Sequence, residues 1–289
     1  MTDSYYGRPI LKAPVWKAYI PVYFFAGGLA GASSTLAVAA RLAGNQRLAR
    51  SALVASAAAM AVSGPLLVLD LGRPGRFLNM LRVLKPTSPM SVGTWVLAAF
   101  APASFAAAAS DLTGGLPRLG RAAAAGAGVL GPVVATYTAV LVADTAIPAW
   151  HGAYRELPFL FAGSSMASAG GMAMAFTPVA EAGAARRLAA AGAALEVGAF
   201  RAMERRLGEV AGPYRDGRAG RLSKAAEACT GTGAVLALAG GRRRPTAIAA
   251  GVLLCAGSIL TRFSVVRAGF ESAADPAATV GPQRLKSPR

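Results

Sequence analysis

The sequence of 289 residues has few of the side chains that bind metals. It contains one histidine, His151, and two cysteines, Cys229 and Cys255. Haem held between helices by paired imidazoles needs more than one histidine, and an iron–sulphur cluster held by thiolates alone needs four cysteines. The chain therefore cannot supply the ligands of either centre, and any electron transfer must use a metal centre that belongs to a partner.

Charged residues are also scarce, at 15% of the chain, and acidic residues are the scarcest, with 13 Asp and Glu against 30 Lys and Arg. A soluble domain carries about a quarter charged residues. A net charge of +17 would suggest nucleic acid in a soluble protein. Here the basic residues lie between apolar runs, where they set the orientation of membrane helices, and no aromatic–basic module is visible. We therefore expect a lipid bilayer and no nucleic acid as the partner.

The motifs of soluble enzymes are missing as well. No glycine-rich phosphate loop follows a strand, no Ser, His and Asp occur in an order typical of a catalytic triad, and no His/Cys spacing fits a metal site. The sequence thus argues against a catalyst that acts alone.

Long apolar runs cover most of the chain. A helix that spans a bilayer needs about 20 apolar residues. Five runs are long and uncharged, one is shorter, and two contain charged residues, so seven spans are the alternative if the sixth run lies on the surface. The runs are residues 20–40, 51–69, 92–110, 122–143, 157–180, 188–200, 223–241 and 245–261. We predict an all-α bundle of eight transmembrane helices over residues 20–266, an interfacial segment over 1–19 and a tail over 267–289.

The distribution of basic residues predicts the orientation. With eight spans both termini lie on one side, and that side carries about twice as many Lys and Arg as the other. Since Lys and Arg are enriched in cytoplasmic loops, we expect both termini in the cytoplasm and the protein in the inner or plasma membrane.

Acids and a tyrosine cluster near that same side. Asp70 and Asp144 end the second and fourth runs, Tyr137 lies two helical turns before Asp144, and Glu196 lies inside the sixth run. Ionisable residues at membrane depth are costly and often mark proton or substrate paths.

Each residue also has an ordinary structural explanation. Asp70 could pair with Arg73 or Arg76, and Asp144 could cap a short helix or pair with Arg155. Glu196 could lie on a solvated face if the sixth run is interfacial, and an ion pair with Lys224 is the preferred explanation for Glu227. Aromatic residues near span ends, such as Trp16, are usually interfacial.

Four strings resemble one family in order along the chain. They are Tyr-Phe-Phe-Ala-Gly-Gly-Leu-Ala-Gly at 23–31, Leu-Asp-Leu-Gly-Arg-Pro-Gly-Arg-Phe at 69–77, Ser-Pro-Met-Ser-Val-Gly-Thr-Trp at 88–95, and the segment at 262–276. Together they resemble the NrfD/PsrC family, the membrane subunits of polysulphide-reductase-type complexes. The resemblance extends over about residues 20–283.

The resemblance implies a cofactor-free bundle of eight helices that binds a quinone, with menaquinone as the expected type. It also implies a ferredoxin-like iron–sulphur partner subunit and a molybdopterin oxidoreductase subunit that carries catalysis. On this basis the expected quinone-binding residues are Trp16, Tyr23, Tyr137, Asp144 and His151. The expected proton relay is Asp70, Asp144 and Glu196, and Arg73 and Arg76 are expected to dock the partner. The family's polar residues at the start of the first helix are not matched by a His or Asn here.

Two other functions stay open at this point. A proton or small-solute transporter could use Glu196 and Asp144 without redox chemistry, and an inert anchor could tie a soluble enzyme to the membrane. Bound quinone in the purified complex would separate a quinone-reactive subunit from an inert anchor.

Overall fold

The computed structural model describes residues 10–73 and 75–280, and every regular element in this part of the chain is helical. The predicted all-α fold is confirmed. Eight helices are long: α1 Tyr19–Leu42, α2 Gln46–Asp70, α4 Pro89–Thr113, α5 Pro117–Ala143, α7 Leu157–Phe176, α8 Gly183–Leu207, α10 Gly217–Gly240 and α11 Arg244–Ala274. The short elements are α3 Arg76–Met80, α6 Pro148–Gly152, a 3₁₀ helix Gly208–Ala211 and α9 Gly212–Arg215.

Each of the eight apolar runs corresponds to one long helix, although the bounds differ, and the runs 157–180 and 223–241 extend past the ends of α7 and α10. The helix α8 covers 25 residues where the sequence predicted a span of residues 188–200, and α11 continues to Ala274, beyond residue 266. Two parts of the predicted termini lie outside the described residues, namely residues 1–9 of the N-terminal segment and residues 281–289 of the tail. The basic residues in these two ranges, which the orientation argument includes, lie outside them as well.

Six of the long helices are long and apolar enough to cross a membrane: α1, α2, α4, α5, α7 and α11. The chain is therefore a multi-pass membrane protein. The helices α8 and α10 carry several charged residues at their ends, so a total of eight spans remains a prediction.

Local sequence explains where several helices begin and end. The Asn45 side chain accepts a hydrogen bond from Leu48 N at 3.0 Å and caps α2, and Ser88 caps α4 in the same way. The helix α4 ends at Gly114, whose φ of 73° is left-handed and therefore suits glycine. These caps pair backbone groups that would otherwise lack partners near the apolar phase.

The long helices form two groups in chain order. We call α1, α2, α4 and α5 the first half, and α7, α8, α10 and α11 the second half. The helices α1 and α5 pack against α7, and α1 also packs against α11. Small residues permit the close crossings, since a Cβ atom on Gly31 of α1 would lie 2.4 Å from the Gly131 carbonyl oxygen of α5.

The short helices α3, α6 and α9 lie at one end of the bundle, which we call the α6 end. Here Ser272 of α11 accepts a hydrogen bond from Ala149 N at 3.2 Å, and the Tyr214 hydroxyl donates to Ala149 O at 3.1 Å. Burial raises the pKa of Tyr214, so its hydroxyl stays protonated as a donor. The α6 segment is thus fixed between the second half and the start of α1.

Candidate functional site

The first half encloses a cavity of about 90 Å³ near the α6 end. Four residues predicted from the sequence line it together: Trp16, Tyr23, Tyr137 and Asp70. The other lining residues are almost all apolar, namely Ile20, Phe24, Leu67, Leu71, Met80, Met90, Leu97 and Leu141, with Thr94 as the exception. An apolar pocket with a few polar groups is the usual form of a small-molecule site.

Tyr137 is one of three buried residues with a hydroxyl group that line this cavity, together with Tyr23 and Thr94. It is only 8% exposed, and its hydroxyl has no hydrogen-bond partner among the residues that the structure describes. A buried hydroxyl without a partner is costly, so this group is suited to a ligand that supplies an acceptor.

Gly93 fixes the position of the Tyr137 ring. A Cβ atom at residue 93 would lie 2.4 Å from Cε2 and 2.5 Å from Cδ2 of Tyr137, so only glycine leaves room for the ring here. This role of Gly93 was not predicted from the sequence, although Gly93 lies within the Ser-Pro-Met-Ser-Val-Gly string.

Aromatic rings connect the cavity to the rest of the bundle. Trp16 stacks on Trp150 with centroids 4.9 Å apart and meets Phe24 edge-on at 5.9 Å. Trp150 is buried and donates from Nε1 to Val265 O of α11 at 2.6 Å. Trp16 is therefore part of an aromatic layer at the α6 end.

Asp144 and His151 do not line this cavity. Asp144 is exposed immediately after α5, and His151 is exposed on α6 with Nδ1 3.1 Å from Ala143 O. Arg155 donates to the Tyr154 hydroxyl at 2.8 Å, and it forms no ion pair with Asp144 in the described part of the chain. Asp144 and His151 therefore lie at the α6 end but do not share the cavity with Tyr137.

Arg73 and Arg76 are exposed at the same end. Arg76 donates to Leu71 O at 3.3 Å, and no ion pair joins either arginine to Asp70 within residues 10–73 and 75–280. Their charges are available at the surface.

Glu196 lies in a second, separate site within the second half. It is 4% exposed, and its carboxylate accepts hydrogen bonds from Thr261 at 2.5 Å and Thr230 at 3.3 Å. It borders a small cavity of about 20 Å³. The carboxylate is thus buried among hydroxyl groups, and the solvated-face explanation for it is wrong.

Arg262 is the residue of this region that the sequence analysis missed. It follows the last apolar run, residues 245–261, yet it is fully buried within α11. Its Nη2 donates to Phe161 O at 3.0 Å and to Ser165 at 3.1 Å, and its guanidinium carbon lies 3.6 Å from the Phe161 ring centroid. The sequence does contain a pattern that indicates a polar face on this part of α11, because Ser258, Thr261 and Ser264 are spaced three residues apart.

Acids at the opposite end of the bundle are neutralised by arginines. Asp111 forms ion pairs with Arg41 and with Arg50, the latter at 2.7 Å, and Glu181 pairs with Arg47 at 3.0 Å. At the α6 end Arg206 likewise pairs with Glu156, whereas Asp70 and Asp144 form no ion pair among the described residues.

The family model described as polysulphide reductase, NrfD, matches residues 11–198. The chain belongs to this NrfD family. The match includes the whole lining of the first-half cavity and Glu196, and it ends before Thr230, Thr261 and Arg262. No curated protein matches the chain. Within the described residues of this NrfD protein, no group of three His, Cys, Asp or Glu side chains could hold a metal ion.

Proposed function

We propose that this NrfD protein is the quinone-reactive membrane subunit of a multi-subunit oxidoreductase. The observation that carries the proposal is the apolar first-half cavity with the unpartnered Tyr137 hydroxyl. The substrate is a quinone, with menaquinone as the specific proposal. The membrane is the inner or plasma membrane, and both termini are cytoplasmic.

The cavity residues fit a quinone headgroup by their chemistry. Tyr137 offers a hydroxyl donor for a carbonyl oxygen, and Trp16, Tyr23 and Phe24 offer aromatic surface for a flat ring. Asp70 at the edge of the cavity offers a carboxyl group that can give or take a proton. A quinone supplies two-electron, two-proton chemistry when bound, and the apolar lining keeps bulk water away from it.

The proton relay of the proposal uses three acids. Asp70 exchanges protons with the cavity, Asp144 exchanges protons with water at the exposed end of α5, and Glu196 holds a proton inside the second half. An ionisable group that is buried at membrane depth, as Glu196 is, usually belongs to a proton or substrate path.

The electrons come from or go to a ferredoxin-like iron–sulphur subunit, and a molybdopterin oxidoreductase subunit carries the catalytic centre. In the proposal Arg73 and Arg76 dock the partner, because both are exposed beside the cavity and their guanidinium groups can bind carboxylates of another surface.

The test is Tyr137→Phe in the purified complex, with bound quinone and quinone-dependent turnover as the measurements. We expect turnover to fall by about tenfold, because one hydrogen bond to the headgroup is lost. The matched control is Tyr19→Phe, which also removes one tyrosine hydroxyl but does so from an exposed residue at the start of α1. Normal turnover in Tyr137→Phe, or a complex that lacks quinone, would contradict the proposal.

A proton transporter is the second candidate function, and the buried Glu196 among hydroxyl groups favours it. It requires no quinone. Proton flux through liposomes that contain this chain alone would support the transporter, whereas quinone in the purified complex supports the first function.

A further inference from the structure

A second space of about 230 Å³ lies beside the first-half cavity, between α3 and the start of α4. We call this space the outer pocket. Met80, Met90 and Thr94 line both the outer pocket and the first-half cavity, so the two spaces share one wall. A molecule that is larger than the first-half cavity can therefore extend from Tyr137 past this wall into the outer pocket.

The first-half cavity alone is too small for the ring system of a quinone. A single benzene ring binds in an engineered protein cavity of about 150 Å³, whereas the first-half cavity measures about 90 Å³. Small-molecule sites usually measure about 300 Å³ or more, a size that the two spaces reach only together. A quinone bound at Tyr137 must therefore use both spaces.

The shared wall consists of side chains that adapt to a ligand. Met80 is half-buried and Met90 is exposed, and the unbranched side chain of methionine changes shape at little cost. Thr94 is buried, and its hydroxyl donates to Met90 O at 2.8 Å, so Thr94 offers a surface and not a free donor. The two methionines are thus the movable part of the wall.

The outer pocket has a fixed frame around this movable part. The Ser91 hydroxyl donates to Val83 O at 2.9 Å and accepts from Lys85 N at 2.9 Å, and Trp95 Nε1 donates to Val83 O at 3.3 Å. These bonds hold the loop after α3 against the first turns of α4. The string at 88–95 therefore builds the outer pocket as well as the contact of Gly93 with Tyr137.

Exposed apolar and basic side chains lie together around the outer pocket. Leu78, Val83 and Leu84 are exposed, and Arg82 and Lys85 are exposed beside them. This mixture fits the membrane interface, where apolar side chains enter the acyl region and long basic side chains reach the headgroups. An apolar chain in the outer pocket therefore reaches the bilayer without crossing water.

We propose that the quinone enters from the bilayer between Met80 and Met90, and that the first part of its isoprenoid chain then lies in the outer pocket. Tyr137 binds the ring at the inner end, and the two methionines contact the junction of ring and chain. The outer pocket thus selects quinones that carry an apolar chain. This inference rests on the quinone-reactive role in the proposed function.

The first experiment locates the chain of a bound quinone in the purified complex. The probe is a menaquinone analogue with a photoreactive diazirine on its first isoprene unit, and mass spectrometry identifies the labelled residues. We expect labelling within residues 79–94 that excess menaquinone abolishes, because these residues line the outer pocket.

Two results overturn the inference and differ in their consequence for the proposed function. Labelling that menaquinone abolishes but that lies outside residues 79–94 contradicts the path between the methionines and leaves the quinone function intact. If menaquinone abolishes no labelling anywhere, no quinone site is present, and the inference and the proposed function fail together.

Substitutions in the shared wall give an independent measurement. Met80→Trp and Met90→Trp place a larger, stiffer side chain between the two spaces, so we expect the Kd of menaquinone to rise about tenfold, a loss of about 1.4 kcal/mol. The control is Leu78→Trp, which adds the same indole to an exposed residue of α3 that lines neither space. The parental Kd in both methionine variants, or an equal rise in the control, overturns the proposal.

Discussion

The two halves of the bundle use their interiors differently. The first half keeps a cavity of about 90 Å³ lined by aromatic and aliphatic side chains, with one carboxyl group at its edge. The second half closes around a space of about 20 Å³ and buries a carboxylate and a guanidinium group among hydroxyls. The first interior is suited to a flat apolar molecule, and the second buries charged side chains and leaves no space for such a molecule.

The two halves meet through aromatic contacts of α1 with α7. Phe24 lines the first-half cavity, and its ring centroid lies 6.0 Å from that of Phe161. The guanidinium group of Arg262 lies over the other ring of this pair. Phe161 therefore separates the apolar first-half cavity from the charged interior around Arg262. This separation allows one small membrane protein to contain both sites.

The largest expected effect is on the charged interior of the second half. Arg262→Ala should lower the free energy of unfolding by about 3 kcal/mol, because it removes two hydrogen bonds and leaves a void between α7 and α11. Thermal unfolding in detergent measures the change. Arg267→Ala is the control, since the Arg267 side chain is 46% exposed and its ion pair with Glu271 should contribute less than about 1 kcal/mol. Equal effects of both substitutions would remove the distinction between a buried and a surface arginine.

An intermediate effect is expected in the apolar site of the first half. Gly93→Ala should displace the Tyr137 ring and reduce quinone turnover by about tenfold, with overpacking of roughly 1–3 kcal/mol. Turnover and thermal stability of the purified complex check this. The control is Gly126→Ala, because a Cβ atom there meets no atom within 4 Å. Unchanged turnover in Gly93→Ala would contradict the role assigned to Gly93.

The smallest expected effect concerns the junction at the α6 end. Trp150→Phe keeps an aromatic ring but removes the Nε1 donor to Val265 O, so stability should fall by about 1 kcal/mol. Trp95→Phe removes a longer bond, 3.3 Å to Val83 O, at an exposed position and should change stability less. The same unfolding assay compares the two. A larger loss in Trp95→Phe would show that the α6 junction is not a stabilising contact.

Sequence alone determined the fold class and the family. Apolar runs of bilayer length predict helices whatever their neighbours are, because the backbone groups must be paired within the helix in lipid. The scarcity of His and Cys likewise limits metal binding without any knowledge of the fold. Tyr23, Tyr137 and Asp70 could be expected at one end of the bundle, since the positions of helix ends follow from chain order.

Only the tertiary structure decided which of those residues share a cavity. Asp144 lies seven residues after Tyr137, yet it is exposed beyond the end of α5 while Tyr137 packs against Gly93. Arg262 was placed beyond the last apolar run and Glu227 in a local ion pair, because a sequence gives the spacing within one helix and not the contacts between helices. Burial of Arg262 and the pairing of Glu227 with Arg201 depend on how α7, α8, α10 and α11 pack, and that packing is a property of the whole bundle.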